Sequence, residues 1–304
     1  MGPGAPQSAG PKVFLDYDQK ALDDAYDQSV YAPNRMQLLA RLARSSELVR
    51  QRLGEPERFA YGPTPIEVLD VYRTTRPNAP VNVFIHGGAW RAGRARDYGF
   101  PAEVFVHAGA HYVALDFVNV EEAGGSLFPM ADQARRAVAW VYRNAVRFGG
   151  DPDRLYVSGT SSGAHLGGVV ATTDWAKDFG LPADAVKGYT LTSGMYDLRG
   201  PRLSKRSQYV KFTDAMEAAL SPQRHLDAIV APIVLVYGTL ETPEFQRQSR
   251  EFAAALRAAG NRVELVVAEG YNHFEIAETI ANPYGPVGRA VLAQMGLGGS
   301  PASR

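Results

Sequence analysis

The stretch from position 154 to 171 leaves this chain few ways to fold. Residues 154–157 read as a short strand. Gly159-Thr160-Ser161-Ser162-Gly163 follows almost at once, and the small, apolar run 164–171 then suits a closely packed helix. A strand that becomes a helix within so few residues must pass through a sharp, strained turn. Glycines two positions either side of its apex let the two elements approach without a Cβ in the way. Units of this kind stack into a mostly parallel sheet with helices on both faces.

The rest of the chain repeats the alternation. Apolar or alternating runs at 66–72, 81–85, 111–118, 186–192, 232–237 and 262–268 are expected strands. Between them, 97–106 is expected as a helix with Pro101 troubling its middle. Residues 130–148 form an amphipathic stretch with Ala134, Val138, Val141, Tyr142 and Ala145 on one face, closed by Gly149-Gly150. Residues 244–259 form another helix. The segment 16–54 carries Met36, Leu38, Leu39, Leu42, Leu48 and Val49 at helical spacing and has no expected strand. Residues 197–227 break the alternation with charges, Pro201 and Pro222. These two segments, about 15–60 and 197–227, are read as a small helical cap on one α/β domain spanning 15–298, with 1–14 as a disordered lead-in.

Composition narrows the function. Hydrophobic residues make up 45% of 304, enough for a large core. The 32 basic and 32 acidic residues cancel, so nothing pulls the chain toward nucleic acid or an anionic membrane. The lack of cysteine removes disulfides, thiolate catalysis, zinc fingers and iron–sulfur ligation. No apolar run reaches the roughly 18 residues of a membrane span, and MGPGAPQSAGPK lacks the apolar centre of an export signal. The expected address is the cytoplasm. Patterns for nucleotide binding (G-x-x-x-x-G-K, or G-x-G-x-x-G after a strand) and for zinc hydrolysis (H-E-x-x-H) are missing.

The pentapeptide makes Ser161 a candidate nucleophile, held at the apex of the turn with a helix N-terminus behind it. A serine needs a base, and the chain order serine, acid, histidine leaves only His225 and His273 far enough downstream. His273 is preferred because it lies in the loop after the 262–268 strand, whereas His225 belongs to the cap. The acid is expected after the preceding strand, and Glu241 is chosen there. Glu244 is expected to open the next helix, where a carboxylate suits the helix dipole. His86-Gly87-Gly88-Ala89-Trp90 ends the 81–85 strand. Its glycines suit a loop whose backbone N–H groups face a developing oxyanion: Gly88 or Ala89 with Ser162 as donors, and Gly87 shaping the loop. His86 is expected to orient that loop, and His165 to be buried and hydrogen-bonded. Trp90, Phe128 and Tyr196 are candidate substrate-pocket residues, with ordinary packing an equal alternative for each. Asp197 is expected to help hold the cap.

The motifs HGGAW and GTSSGAH, the run from Glu241 through Pro243-Glu244-Phe245 to Gln248-Ser249, and Asn272-His273-Phe274 together resemble the kynurenine formamidase (arylformamidase) branch of the α/β hydrolases, near the hormone-sensitive-lipase-like esterases. The resemblance runs from about Leu15 to the last helix, and it aligns Glu241 with the family's triad acid. It departs from the formamidases at Ala89, where they carry an aromatic residue, and at Thr160-Ser161-Ser162, where they carry His-Ser-Ala. It implies an α/β-hydrolase fold and a Ser161–His273–Glu241 triad. The implied enzyme cleaves a small-molecule ester or an aryl or formyl amide through an acyl-enzyme, with no metal or organic cofactor. A non-catalytic ligand-binding protein on the same fold is the alternative, and such proteins generally lose a triad member that this chain retains. An edge-to-edge homodimer is compatible with such a fold, though nothing in the sequence requires one.

Overall fold

The structure is a computed structural model and describes residues 10–298. Eight strands form one sheet in the order β1-β2-β4-β3-β5-β6-β7-β8. They are β1 (Glu57–Ala60), β2 (Val68–Tyr72), β3 (Ala79–Ile85), β4 (His111–Leu115), β5 (Gly150–Thr160), β6 (Gly188–Thr192), β7 (Ile233–Gly238) and β8 (Val263–Ala268). All neighbours from β4 to β8 run parallel, while β1–β2 and β2–β4 are antiparallel. The helices are α1 (Gln19–Ala25), α2 (Gln28–Tyr31), α3 (Arg35–Leu53), α4 (Ala102–Ala108), α5 (Phe128–Asn144), α6 (Ser162–Ala171), α7 (Trp175–Phe179), α8 (Arg199–Leu203), α9 (Asp214–Ala219), α10 (Pro243–Ala258), α11 (His273–Glu278) and α12 (Pro286–Gln294), with short 3-10 turns between some of them. This is the α/β-hydrolase fold.

Strand periodicity explains the two cores. Alternate side chains of a strand point to opposite faces. Val81, Val83 and Ile85 of β3 join Val113, Leu115, Leu155 and Val157 on one face, where α5, α6 and α10 supply Val138, Leu166, Val169 and Phe252. Phe84 joins Tyr112, Ala114 and Val236 on the other, where α3, α4 and α12 supply Leu42, Phe105 and Val291. With helices on both faces, central strands are buried at every position, and β3 and β4 are.

Several expectations need correcting. The helix expected over 97–106 is split into a 3-10 turn at Ala95–Tyr98 and α4, with Pro101 as the N-cap of α4. Proline is tolerated there because an N–H at that point has no helical carbonyl to reach. The cap expected at 15–60 is helical only to Leu53, because Glu57–Ala60 is the edge strand of the main sheet. Its mostly exposed ERFA side chains carry no burial alternation, so no strand signal was there to read. The strand expected at 154–157 is longer, spanning Gly150–Thr160. Of the lead-in expected over 1–14, residues 1–9 lie outside the described residues. It ends sooner than 14, since Gly10 N–H donates to Asp18 Oδ2 at 2.8 Å and Phe14 pairs with Tyr17.

The turn between β5 and α6 shows why its glycines are required. A Cβ on Gly163 would lie 2.1 Å from the Ile85 carbonyl oxygen, and one on Gly159 would lie 2.6 Å from the Gly163 carbonyl oxygen. Both obstacles are backbone, so neither can rotate aside. Gly163→Ala is therefore expected to lose about 2–4 kcal/mol of stability, as overpacking against fixed backbone does. Urea unfolding measures it, and a loss below 1 kcal/mol would contradict the packing described.

Candidate active site

Ser161 stands between β5 and α6 with φ 56° and ψ −123°. That backbone conformation is unusual for a residue with a side chain and costs on the order of 1–3 kcal/mol. It is held in place because Ser161 N–H donates to the Thr192 carbonyl of β6 and Ser161 C=O accepts from His165 N–H. Ser161 itself is only half-buried, in contrast to the buried Thr160 and Ser162 beside it.

The structure brings Ser161, His273 and Glu241 together. His273 Nε2 lies 2.9 Å from Ser161 Oγ, and His273 Nδ1 lies 2.8 Å from Glu241 Oε2. A carboxylate only accepts, so Nδ1 carries the proton and Nε2 is free to accept from the serine hydroxyl. His273 opens α11 rather than sitting within a loop. Asn272 caps that helix through Phe274 and Glu275 N–H, and Glu275 bonds back to Asn272 N–H. The capping box fixes the backbone next to the imidazole. Glu241 is 1% exposed, and its second oxygen accepts from Gly238 N–H at 2.8 Å and Ser193 Oγ at 2.5 Å.

Ser193, which sequence reasoning missed, joins the candidate site through Glu241. It follows β6 with φ 56° and belongs to no motif. Only its position beyond a strand's carboxyl end hinted at it.

The 86–93 loop curls beside Ser161. A Cβ on Gly87 would sit 3.2 Å from Ser161 Cβ, and one on Gly88 (φ 113°) would sit 2.1 Å from the Ala92 carbonyl oxygen. Ala89 and Trp90 also have positive φ, at 56° and 63°. Among the described residues nothing accepts from the backbone N–H of Gly88, Ala89 or Ser162. Unpaired N–H groups beside a half-buried hydroxyl are suited to receive negative charge.

Two histidines hold this loop from behind. His86 Nδ1 donates to the Gly87 carbonyl at 2.8 Å, and its ring stacks on Phe117 at 4.3 Å. Trp90 Nε1 donates to His165 Nδ1 at 3.1 Å, so His165 Nε2 donates to the Leu220 carbonyl at 2.8 Å. Burial lowers both imidazoles to about 4.

The three candidate pocket residues do not line the cavity. Trp90 is buried behind the loop, because its N–H needs the His165 acceptor. Tyr196 is fully buried and stacks on Phe252 at 4.3 Å. Phe128 begins α5 at the surface, 41% exposed. The side chains were judged by aromatic character, which serves packing as well as recognition. The cavity, about 690 Å³, is walled instead by cap residues such as Tyr26, Gln28, Leu39, Arg206 and Tyr209, with Ser161 and His273 at its floor. Glu244 opens α10 as expected and bonds to Tyr26 Oη and Arg247. Asp197 pairs with Arg224 at 3.2 Å within the cap. Among the described residues no cluster of potential metal ligands is found, and no helix is long and apolar enough to cross a membrane.

Residues 69–196 match the family described as BD-FAE. The chain is similar to a kynurenine formamidase of Danio rerio, 31% identical over 229 residues that cover 73% of this chain and 75% of that protein. It is similar to esterase LipQ of Mycobacterium tuberculosis, 29% identical over 260 residues, 76% of this chain and 60% of that protein. Its fold is similar to the solved structure of esterase LipW from Mycobacterium marinum, with a TM-score of 0.68, 19% identity and 90% of each chain covered.

The buried histidines generate a pH prediction. In the unfolded chain they titrate near 6.5, while in the folded chain burial delays protonation to about 4. Their contribution is complete above 6.5 and is lost as pH falls toward 4, where the unfolded state binds more protons. The unfolding free energy is expected to fall across that window by on the order of several kcal/mol for the pair, and the urea midpoint to fall with it. A flat midpoint between pH 6.5 and 4.5 goes against the assigned burial.

Proposed function

The chain belongs to the kynurenine formamidase family of the α/β hydrolases, and from that footing we propose that Ser161, His273 and Glu241 form the triad of a serine hydrolase. Its substrates are small carboxylic esters or aryl or formyl amides. The observation that carries the reading is the unbroken hydrogen-bond chain from Ser161 Oγ through the imidazole to the buried Glu241 carboxylate, at the floor of the cavity.

Ser161 Oγ attacks the acyl carbon as His273 Nε2 takes its proton. Glu241 keeps the imidazole in the tautomer that accepts at Nε2, and stabilises the imidazolium once it forms. The carbonyl oxygen becomes an oxyanion, which the N–H groups of Ser162 and of Gly88 or Ala89 receive. Collapse of the tetrahedral intermediate expels the alcohol or amine, which takes the proton from His273. Water then attacks the acyl-enzyme with His273 as base, the acid leaves, and Ser161 regains its proton. Each oxyanion donor contributes about 3 kcal/mol to the transition state, roughly a hundredfold in rate. Ser193 and Gly238 act through Glu241, as positioning groups.

Gly87 shapes the loop because a side chain there would press on the nucleophile. No step calls for a metal or an organic cofactor. The leaving group's basicity separates the two substrate classes: an aryl amide demands proton delivery from His273 more than an activated ester does.

Ser161→Ala is expected to abolish labelling by a fluorophosphonate and to lower ester turnover by more than about 10⁴-fold, with Glu241→Gln close behind. Stopped-assay kinetics on short-chain p-nitrophenyl esters and on N-formylkynurenine measure both the loss and the preference. Retained turnover in a folded Ser161→Ala protein rejects the mechanism. Ester turnover with negligible anilide cleavage rejects the formamidase version alone.

A further inference from the structure

The cavity has a polar end that the hydrolytic reaction does not use. It lies in the cap, where α2 meets the 3-10 turn at Lys205–Gln208. Arg206 is 6% exposed and has no carboxylate within ion-pair distance among the described residues. Its Nη1 donates to Tyr209 Oη at 2.9 Å and its Nη2 to the Tyr26 carbonyl at 3.0 Å. Those are two of a guanidinium's five N–H donors, and Nε has no acceptor among the described residues. Gln28, also 6% exposed, is in the same condition: its Oε1 accepts weakly from Thr242 N–H at 3.5 Å, and its Nε2 finds no acceptor among the described residues. Both residues border the cavity.

Burying a cation without a counter-charge and a primary amide without an acceptor costs several kcal/mol. The neighbouring charges do not relieve it. Lys205 is already paired with Asp27, whose carboxylate also accepts from Ser29. Arg91 is paired with Glu121 at 2.6 Å. Arg35, also on the wall, has no ion-pair partner among the described residues, and Asp97 is an exposed carboxylate at the cavity's edge. What holds the guanidinium is aromatic: it lies 5.5 Å from the Trp90 ring centroid, 5.8 Å from that of Phe245 and 5.9 Å from that of Tyr26.

Those rings also fix its distance from the chemistry. Phe245 packs edge-on against the His273 imidazole at 4.9 Å, and the Trp90 backbone N–H donates to Ser162 Oγ at 3.1 Å. The cation therefore shares one neighbour with the base and another with the residue after the nucleophile, within the length of a small molecule. An occupant of this end must supply acceptors and negative charge, and planar bidentate recognition by guanidinium selects a carboxylate.

We propose that Arg206 and Gln28 form a carboxylate-binding subsite, so that the ester or amide cleaved at Ser161 carries an anionic group remote from its scissile carbonyl. The proposal rests on the serine hydrolase reading and narrows its substrate class. Arg206 is a specificity residue and takes no part in bond making.

The test compares 4-acetoxyphenylacetate, an anion, with 4-acetoxyphenylacetamide, its neutral near-isostere, in the full chain. Wild type is expected to favour the anion in kcat/KM by about 10- to 100-fold. Arg206→Met is expected to bring the two within about threefold, through a rise in the anion's KM. Arg206→Lys, which keeps the charge and the aromatic contacts, is expected to retain part of the preference, and Gln28→Leu to lose part of it. Equal turnover of both esters by wild type overturns the subsite. So does an equal loss on both in folded Arg206→Met and Arg206→Lys, since that marks a residue that only holds the cap. If wild type cleaves neither ester, the hydrolase reading is what fails. The subsite then stands or falls by calorimetry with 4-hydroxyphenylacetate: binding to wild type that Arg206→Met abolishes supports it, and no binding to wild type rejects it.

Discussion

A carboxylate buried to the degree of Glu241 is costly unless every oxygen is bonded. Its three donors come from three separate places: Ser193 just beyond β6, Gly238 at the end of β7, and His273 at the start of α11. Satisfying this one charge therefore fixes the spacing of two parallel strands at their carboxyl ends and the docking of a helix across them. The same bonds aim His273 at Ser161. Positioning and stability are thus one requirement here, and a strand register shifted by a residue would leave the charge unpaired and His273 misdirected together.

Strain at Ser161 depends on the same frame. Ser161, Ala89, Trp90 and Ser193 all have φ between 56° and 63°, and all lie at the carboxyl ends of strands or in the loops that leave them. Such backbone persists only where neighbours over-determine it. Here the neighbours are the β6 carbonyl that takes the Ser161 N–H, and the tight contact of Gly159 and Gly163 against backbone. Behind the loop, His86 and His165 are neutral hydrogen-bonding spacers, which is what their lowered pKa values express.

Much of this was legible in the sequence, for physical reasons. The glycine spacing around Ser161 reports backbone contacts that tolerate no side chain. Chain order and strand endings singled out His273 and Glu241, which the fold draws together. Strands buried on both faces appeared as apolar runs. What was hidden depends on contacts between distant segments. β1 is an exposed edge strand with nothing in ERFA to announce it. Ser193 matters because of Glu241, 48 positions away. Trp90, Phe128 and Tyr196 were chosen for being aromatic near the motifs, yet an indole that must satisfy its N–H and a phenol that stacks in the core turn away from the cavity. The cavity walls come from α2, α3 and the segment around 206, whose sequences carry no motif.

The cap explains that silence. Its two parts lie far apart in the chain and are joined by polar links: Lys205 to Asp27, Arg206 to the Tyr26 carbonyl, and Gln248 donating to the Asp197 carbonyl and Tyr26 Oη. Such links hold two surfaces in register without the apolar periodicity that marks a core. They also place donors toward the cavity that a purely structural cap would have satisfied internally. A fold that leaves Arg206 and Gln28 short of acceptors gives up stability at those positions, and proteins tolerate that where preorganised donors serve binding. The floor that carries the proposed triad is thus built by the sheet, from residues whose spacing is dictated by backbone geometry. Selectivity is assigned to the cap, whose side chains can change without disturbing Glu241 and the strands that hold it.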